Sequence, residues 1–238
     1  MAKIRTRGYL IAGVDQNTLD FGFRNPFDGQ IEGFDIDMIK AVAQAIGVPK
    51  VVYKAIPDSL REQDVESGAV DIVAHTMTIL CSRLKVVDFS SVYFDAVQKV
   101  LVLKTSKAAS LADLRGQKVC ATSGADSLAA IVKYRAIPVT VPYWTDCLVL
   151  LQQGDVAAIS TDDSILAGLA AQDPWTKIIG PPVSPQPYGL AISKQHPDFV
   201  RFVNAVLEQM RTDGQWAASY AHWIGHPVPA PPQAQYAD

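Results

Sequence analysis

Basic clusters, long apolar runs and cysteine are all scarce in this chain of 238 residues, and each scarcity excludes something. Lys and Arg number 21 against 24 Asp and Glu, for a formal net charge of -3, and they form none of the basic clusters that bind a polyanion. A nucleic-acid partner is not expected; a small organic molecule is. No apolar run approaches the roughly 20 residues that span a bilayer. The opening Met1-Ala2-Lys3-Ile4-Arg5 lacks the hydrophobic region of a signal peptide. Three cysteines, Cys81, Cys120 and Cys147, are too few and too dispersed for a zinc site or a disulfide scaffold. They allow one bridge with one thiol left over, and Cys120 and Cys147, which fall in the same half of the chain, are the favoured pair.

What is present reads as an α/β protein. Hydrophobic residues make up 49% and charged ones 19%, a globular balance, and the length suits one large domain or two lobes. Short apolar runs at residues 9–14, 51–53 and 70–74 alternate with helical patterns. The first such pattern is capped by Asp35, carries Ile39, Val42, Ala43 and Ile46 on one face, and stops at Gly47. A polar helix is expected from about Asp58 to Ser67. A second cycle follows: an extended run at 98–103, a short helix opened by Ser110, and a strand at 118–121. After these come a helix at 128–133, a strand at 139–141, a helix at 146–153 capped by Thr145, and a strand at 157–160. Strand and helix in alternation imply βαβ units and parallel pairing. A long helix with Phe199, Phe202, Val203, Val206 and Met210 on one face comes near the end, before a Pro-rich tail at 227–238 expected to be extended and poorly packed.

Several polar groups stand at the carboxyl ends of these strands, where open α/β sheets place their ligands. Thr76, Thr78 and Arg83 follow the run at 70–74, and an arginine fork beside a hydroxyl is suited to gripping a carboxylate. The loop Thr122-Ser123-Gly124-Ala125-Asp126-Ser127 opens a helix, whose first N–H groups favour an anion. Asp162 and Asp163 follow another strand, and one of them can accept an ammonium group; helix capping is the competing explanation. Asp15 ends the first strand. His222 and His226 have the spacing of a helical metal pair, but with Gly225 between them and no third ligand no metal is expected, and no cofactor is implied.

The order of motifs resembles the family 3 solute-binding proteins of ABC amino-acid importers. It runs through Gly33-Phe34-Asp35-Ile36-Asp37, Val70-Asp71, Thr76-Met77-Thr78-Ile79 with Arg83, and Val87-Asp88-Phe89-Ser90-Ser91-Val92-Tyr93. It continues through Leu111-Ala112-Asp113-Leu114-Arg115-Gly116, Ala158-Ile159-Ser160-Thr161-Asp162 and Tyr188-Gly189-Leu190-Ala191, so nearly the whole chain is covered. The branch that binds glutamine, glutamate and aspartate is the most similar, with Cys81, Cys120 and Trp144-Thr145-Asp146-Cys147 adding to the likeness.

The resemblance implies the two-lobed periplasmic binding protein type 2 fold, with mixed sheets flanked by helices and two crossing hinge strands at 98–103 and 188–192. Residues 1–102 and 191–238 would form lobe 1 and residues 103–190 lobe 2, closing on the ligand like a hinge. By the same resemblance Arg83 and Thr78 bind the ligand's α-carboxylate, Asp162 and the Thr76 carbonyl its α-ammonium, and Asp15, Phe21 and His75 line the side-chain pocket. The implied partners are an amino acid and an ABC permease, with a monomeric protein. The implied location is periplasmic or extracellular, a lipid anchor at the cell surface included, with the export segment outside this chain. The chain departs from the family's pattern where Asp126 replaces a hydroxyl residue, Thr18 an aromatic and Leu80 a threonine. Together with Asp15, Asp20 and Asp162, Asp126 shifts the expectation from glutamate towards a neutral polar or cationic ligand. The alternatives are a dehydratase resembling cyclohexadienyl dehydratase, with Asp126 as general acid, and the sensor domain of a receptor.

Overall fold

Alternating short strands and helices close into two mixed sheets, one of five strands and one of six, the sixth strand Pro185–Tyr188 pairing with Phe94–Leu103 alone. The computed structural model describes residues 1–234, which leaves the last four residues of the Pro-rich tail outside the described residues. The first sheet runs Val51–Ala55, Leu10–Val14, Ile72–Ala74, Ala191–Ser193, Val87–Phe89. Its first three strands are parallel, and Ala191–Ser193 lies antiparallel to both neighbours. In the second sheet the order is Ile137–Val141, Lys118–Thr122, Ala158–Asp162, Phe94–Leu103, Thr176–Ile179, parallel over the first three and antiparallel thereafter. A small three-stranded sheet of Asn17–Thr18, Gly22–Arg24 and Ile31–Glu32 flanks the first.

Each large sheet has its own core. Helices Phe34–Ile46 and Pro197–Thr212 bury Ile39, Val42, Ala43, Phe199 and Val203 with Leu10 and Ile72 of the first sheet. Val119, Ile159, Leu151 and Leu166 pack together in the second. The first core includes an aromatic cluster in which Phe21 meets Phe94 edge-on at 5.0 Å and Phe94 stacks on Tyr188 at 5.5 Å. Cys120 and Cys147 are bonded, with their Cα atoms 5.6 Å apart, joining the strand Lys118–Thr122 to the helix Trp144–Gln153, and Cys81 is free and exposed.

Several local expectations shift. Asp35 does not cap its helix: Gly33 stands at the cap with φ 135°, and a Cβ there would collide with the Phe21 carbonyl oxygen. Asp35 instead turns inward, accepting hydrogen bonds from the Thr76 N–H at 2.8 Å and the Tyr93 hydroxyl at 2.6 Å. Tyr143, not Thr145, caps the helix Trp144–Gln153. Thr176–Ile179 and the helix Ala2–Arg7 had no strong pattern to announce them.

The crossing between sheets also differs from the expected segments. Residues 98–103 are paired inside the second sheet, with Gln98 opposite Asp162. The antiparallel ribbon joining the sheets is instead residues 94–97 with Pro185–Tyr188. At the change of partner the Val97 N–H donates to Asp163 Oδ1 at 3.1 Å, and Gln98 Nε2 donates to Ser160 Oγ at 2.9 Å.

Candidate functional site

Loops at the carboxyl ends of both sheets meet in a cleft. From the first sheet, Thr76 follows Ile72–Ala74 with φ 43°, a left-handed conformation that a β-branched residue rarely adopts. The Asp35 carboxylate on its N–H holds it there. Burial, opposed by the Tyr93 and Thr76 hydrogen bonds, pushes the Asp35 carboxyl up to about 6.

Arg83 is buried and fully engaged by protein. Its Nε donates to Glu62 Oε1 at 3.0 Å, Nη1 to the Thr78 carbonyl at 2.8 Å and Nη2 to the Gly124 carbonyl at 3.1 Å. Thr78 Oγ1 donates to Gln186 Oε1 at 2.6 Å. A second buried arginine, Arg61, lies beside it. Its Nε donates to the Asp58 carbonyl at 3.1 Å, Nη1 to the His75 carbonyl at 3.0 Å and Nη2 to the Gly124 carbonyl at 3.4 Å. Gly124 comes from the second sheet, so one backbone oxygen bridges two guanidinium groups across the cleft. Thr122, also from the second sheet, donates its hydroxyl to Asp58 Oδ2.

Opposite stands Asp162, buried at the end of Ala158–Asp162 and at the cap position of the next helix without a capping side-chain bond. It accepts from the Tyr188 hydroxyl at 2.6 Å, and that hydroxyl also lies 2.8 Å from Ser164 Oγ. Burial first, then the neighbouring Asp126 and Asp163, push the Asp162 carboxyl up to about 8, against the pull of Tyr188 and Arg61. No salt bridge meets it among the described residues. Asp126 heads the helix Ser127–Lys133, again without capping it.

Asp58, Arg61, Thr76, Asp126, Trp144 and Asp162 line what space remains, about 10 Å³, which is close to the minimum for one water molecule. An amino acid can enter only if the sheets part. A larger groove of about 370 Å³ between the helices Phe34–Ile46 and Pro197–Thr212 is lined by Ala, Gln, Val, Phe and Met and has no charged group. Size alone would favour the groove; the chemistry is in the cleft.

Thr76, Asp126 and Asp162 line the cavity, whereas Arg83 and Thr78 sit just behind it, covered by Gly124 and Gln186. Three other expected lining residues lie elsewhere. Asp15 is spent on its own turn, accepting from the N–H groups of Gln16 at 2.6 Å and Asn17 at 3.1 Å and from the Thr18 hydroxyl. Phe21 is in the aromatic cluster. The Nε2 of His75 donates to the Ile56 carbonyl at 2.9 Å, because a carbonyl only accepts. Asp58, Arg61 and Trp144 also line the cavity without a local motif that marks them as site residues, and Gly124 belongs to the loop at 122–127 expected to meet an anion. Asp58 and Arg61 follow the strand Val51–Ala55, and the carboxyl-end rule that selected Thr76 and Asp162 applies to them equally. Among the described residues no group of three His, Cys, Asp or Glu could hold a metal, and no helix is long and apolar enough to cross a membrane.

The model for bacterial extracellular solute-binding proteins, family 3, matches residues 10–226. The ABC transporter glutamine-binding protein GlnH of Bacillus subtilis (strain 168) is 35% identical over 230 residues, 94% of this chain and 84% of that protein. An ancestral arginine-binding protein bound to glutamine superposes with a TM-score of 0.88 at 34% identity, covering 92% of this chain and 99% of that one. The ancestral amino acid-binding protein AncCDT-1, described as a precursor of cyclohexadienyl dehydratase, superposes with a TM-score of 0.86 at 32% identity over 93% of this chain and 98% of that one. By the family match over residues 10–226 and the identity to GlnH across most of both chains, this chain belongs to the bacterial extracellular solute-binding proteins of family 3.

Proposed function

We propose that the protein captures a polar amino acid between two lobes and delivers it to an ABC permease. The observation that carries this reading is the pairing of opposites across one closed cleft. Arg83 and Arg61 converge from the first sheet, and Asp162, buried without a basic partner, faces them from the second. An α-amino acid carries a carboxylate and an ammonium at fixed separation, so only a zwitterion answers both sides at once. In the ligand-bound cleft, the ligand carboxylate takes the place of the Gly124 carbonyl on the arginine forks, and its ammonium meets Asp162 and the Thr76 carbonyl. The two sheets correspond to the two lobes, and the ribbon of residues 94–97 with Pro185–Tyr188 is the hinge.

The protein acts outside the cytoplasmic membrane, as a monomer, and binds without chemistry. A disulfide between Cys120 and Cys147 suits an oxidising compartment. The dehydratase reading has one observation in its favour, the uncapping carboxylate of Asp126 at the cavity. Turnover of prephenate or arogenate by the purified protein would establish that activity in place of pure binding.

Calorimetry tests the zwitterion clamp directly. The folded protein is expected to bind at least one of the twenty amino acids, and Arg83→Ala or Asp162→Ala to weaken that binding at least about thirtyfold, the usual loss when one partner of a buried charge pair is truncated. Affinities in both variants equal to wild type would sink the reading.

A further inference from the structure

We propose that Asp58 determines which amino acids the cleft accepts, setting its side-chain end against a second carboxylate and in favour of a hydrogen-bond donor: an amide, a guanidinium or an ammonium. The inference rests on the amino-acid reading above and deepens it.

Asp58 is buried, only 4% exposed, and lines the cavity. Its two oxygens are unequally used. Oδ2 accepts from the Thr122 hydroxyl of the opposite sheet. Oδ1 stands 3.1 Å from Arg61 Nη1 and 3.3 Å from His75 Nδ1, close enough for ionic contact, yet it takes part in no hydrogen bond of good geometry. A buried carboxylate oxygen at a cavity wall with acceptor capacity left over is a place for a donor.

Arg61 is the group that would otherwise attract an acidic side chain, and it is already answered. Its Nε, Nη1 and Nη2 are aimed at the carbonyls of Asp58, His75 and Gly124, and its charge is matched by the Asp58 carboxylate. Arg83 is matched in the same way by Glu62 at 3.0 Å. The ionisable groups on the cavity wall are then Asp58, Asp126 and Asp162 against Arg61 alone, and Asp162 takes up its charge only when an ammonium meets it. Burial by itself would raise the Asp58 carboxyl, but Arg61, His75, the Thr122 hydrogen bond and Arg83 together outweigh it and hold Asp58 below its ordinary range. The carboxylate therefore stays ionised at neutral pH. A ligand carboxylate beside it meets a like charge in a medium of low dielectric, where such repulsion is strong. An amide of identical shape meets a free acceptor.

Glutamine and glutamate differ in charge with almost no change in shape, so titration calorimetry with L-glutamine, L-glutamate and L-arginine isolates the effect. The wild type is expected to hold glutamine at least about tenfold more tightly than glutamate, the effect of one modest electrostatic contact. Asp58→Asn should compress that ratio by about tenfold and weaken arginine by a similar factor. Asp58→Ser serves as a second variant should Asp58→Asn fail to fold, as judged by circular dichroism. Glutamate bound as tightly as glutamine by the wild type overturns the proposal. So does an Asp58 variant in which both the ratio and the arginine affinity are unchanged. A wild type that binds none of the three overturns this inference, and one that binds none of the twenty amino acids overturns the amino-acid reading with it, whereas binding with an unaltered ratio removes only the role of Asp58.

Discussion

Gly124 rests so closely on Ser59 that a Cβ added to it would lie 2.9 Å from the Ser59 Cα. The contact joins loops of different sheets, and Gly124 adopts φ +90°, a conformation open to glycine. Its carbonyl is the one that bridges Arg61 and Arg83. Loop approach, backbone conformation and arginine bridging thus depend on one missing side chain.

Gly124→Ala is therefore expected to hold the cleft ajar. The substituted loop stays folded in its own lobe but cannot approach Ser59 without displacing backbone. Small-angle scattering should show a larger radius of gyration than wild type, and ligand affinity should fall by about tenfold or more, since a lobe kept from its partner forfeits at least one buried contact. A variant that is as compact as wild type would refute the dependence.

Asp162 predicts a pH signature in two parts. Its folded carboxyl titrates at about 8 against an ordinary value of 3.8, so the folded state holds a proton that the unfolded chain has released. That contribution to stability is complete below about 4 and is lost as pH rises through about 8. Asp35, raised to about 6, adds the same sign over a narrower window. Asp58 works oppositely, its lowered value contributing stability above its unfolded pKa and losing it as pH falls through the folded one. Receiving an ammonium requires Asp162 ionised, so amino-acid binding near pH 7 should release a proton, with affinity rising towards pH 8. Calorimetry in two buffers of different ionisation enthalpy reads the proton directly. Identical heats in the two buffers would contradict the prediction.

The bond between Cys120 and Cys147 closes a loop with a sequence separation of 27. Loop-closure entropy assigns such a bridge about 3–4 kcal/mol of stability. Replacing both cysteines with alanine should lower the urea midpoint accordingly, and a reductant should act the same way on the wild type. Cys81→Ser, at an exposed and unbridged position, is expected to leave the midpoint in place. A double variant as stable as wild type would show the bridge to be energetically idle.

How far these features can be read from residues alone varies with how local their causes are. The helix Phe34–Ile46 announces itself because Ile39, Val42, Ala43 and Ile46 repeat at helical spacing and Gly47 supplies a left-handed stop. Thr76, Asp126 and Asp162 were found at the cavity because strand ends in open sheets converge there. Asp35 looked like a cap because a cap is a local device, whereas its partners Thr76 and Tyr93 lie 41 and 58 residues away. Asp15 was assigned to the pocket by likeness to other proteins, but its hydrogen bonds stay within three residues. Arg61 and Asp58 have the local pattern of a polar helix face. Only the approach of Gly124 and Thr122, from a strand far along the chain, gives them meaning.

The hydrogen bond from Val97 to Asp163 has a mechanical implication. Asp163 is the neighbour of Asp162, the proposed acceptor of the ligand's ammonium, and Val97 is the last residue of the ribbon before the strand Phe94–Leu103 enters the second sheet. Grip and fulcrum are thus a single residue apart, and the lobes act as long arms on a short lever. On the proposed reading, a small displacement where the ligand is held passes directly to the ribbon on which the lobes would turn.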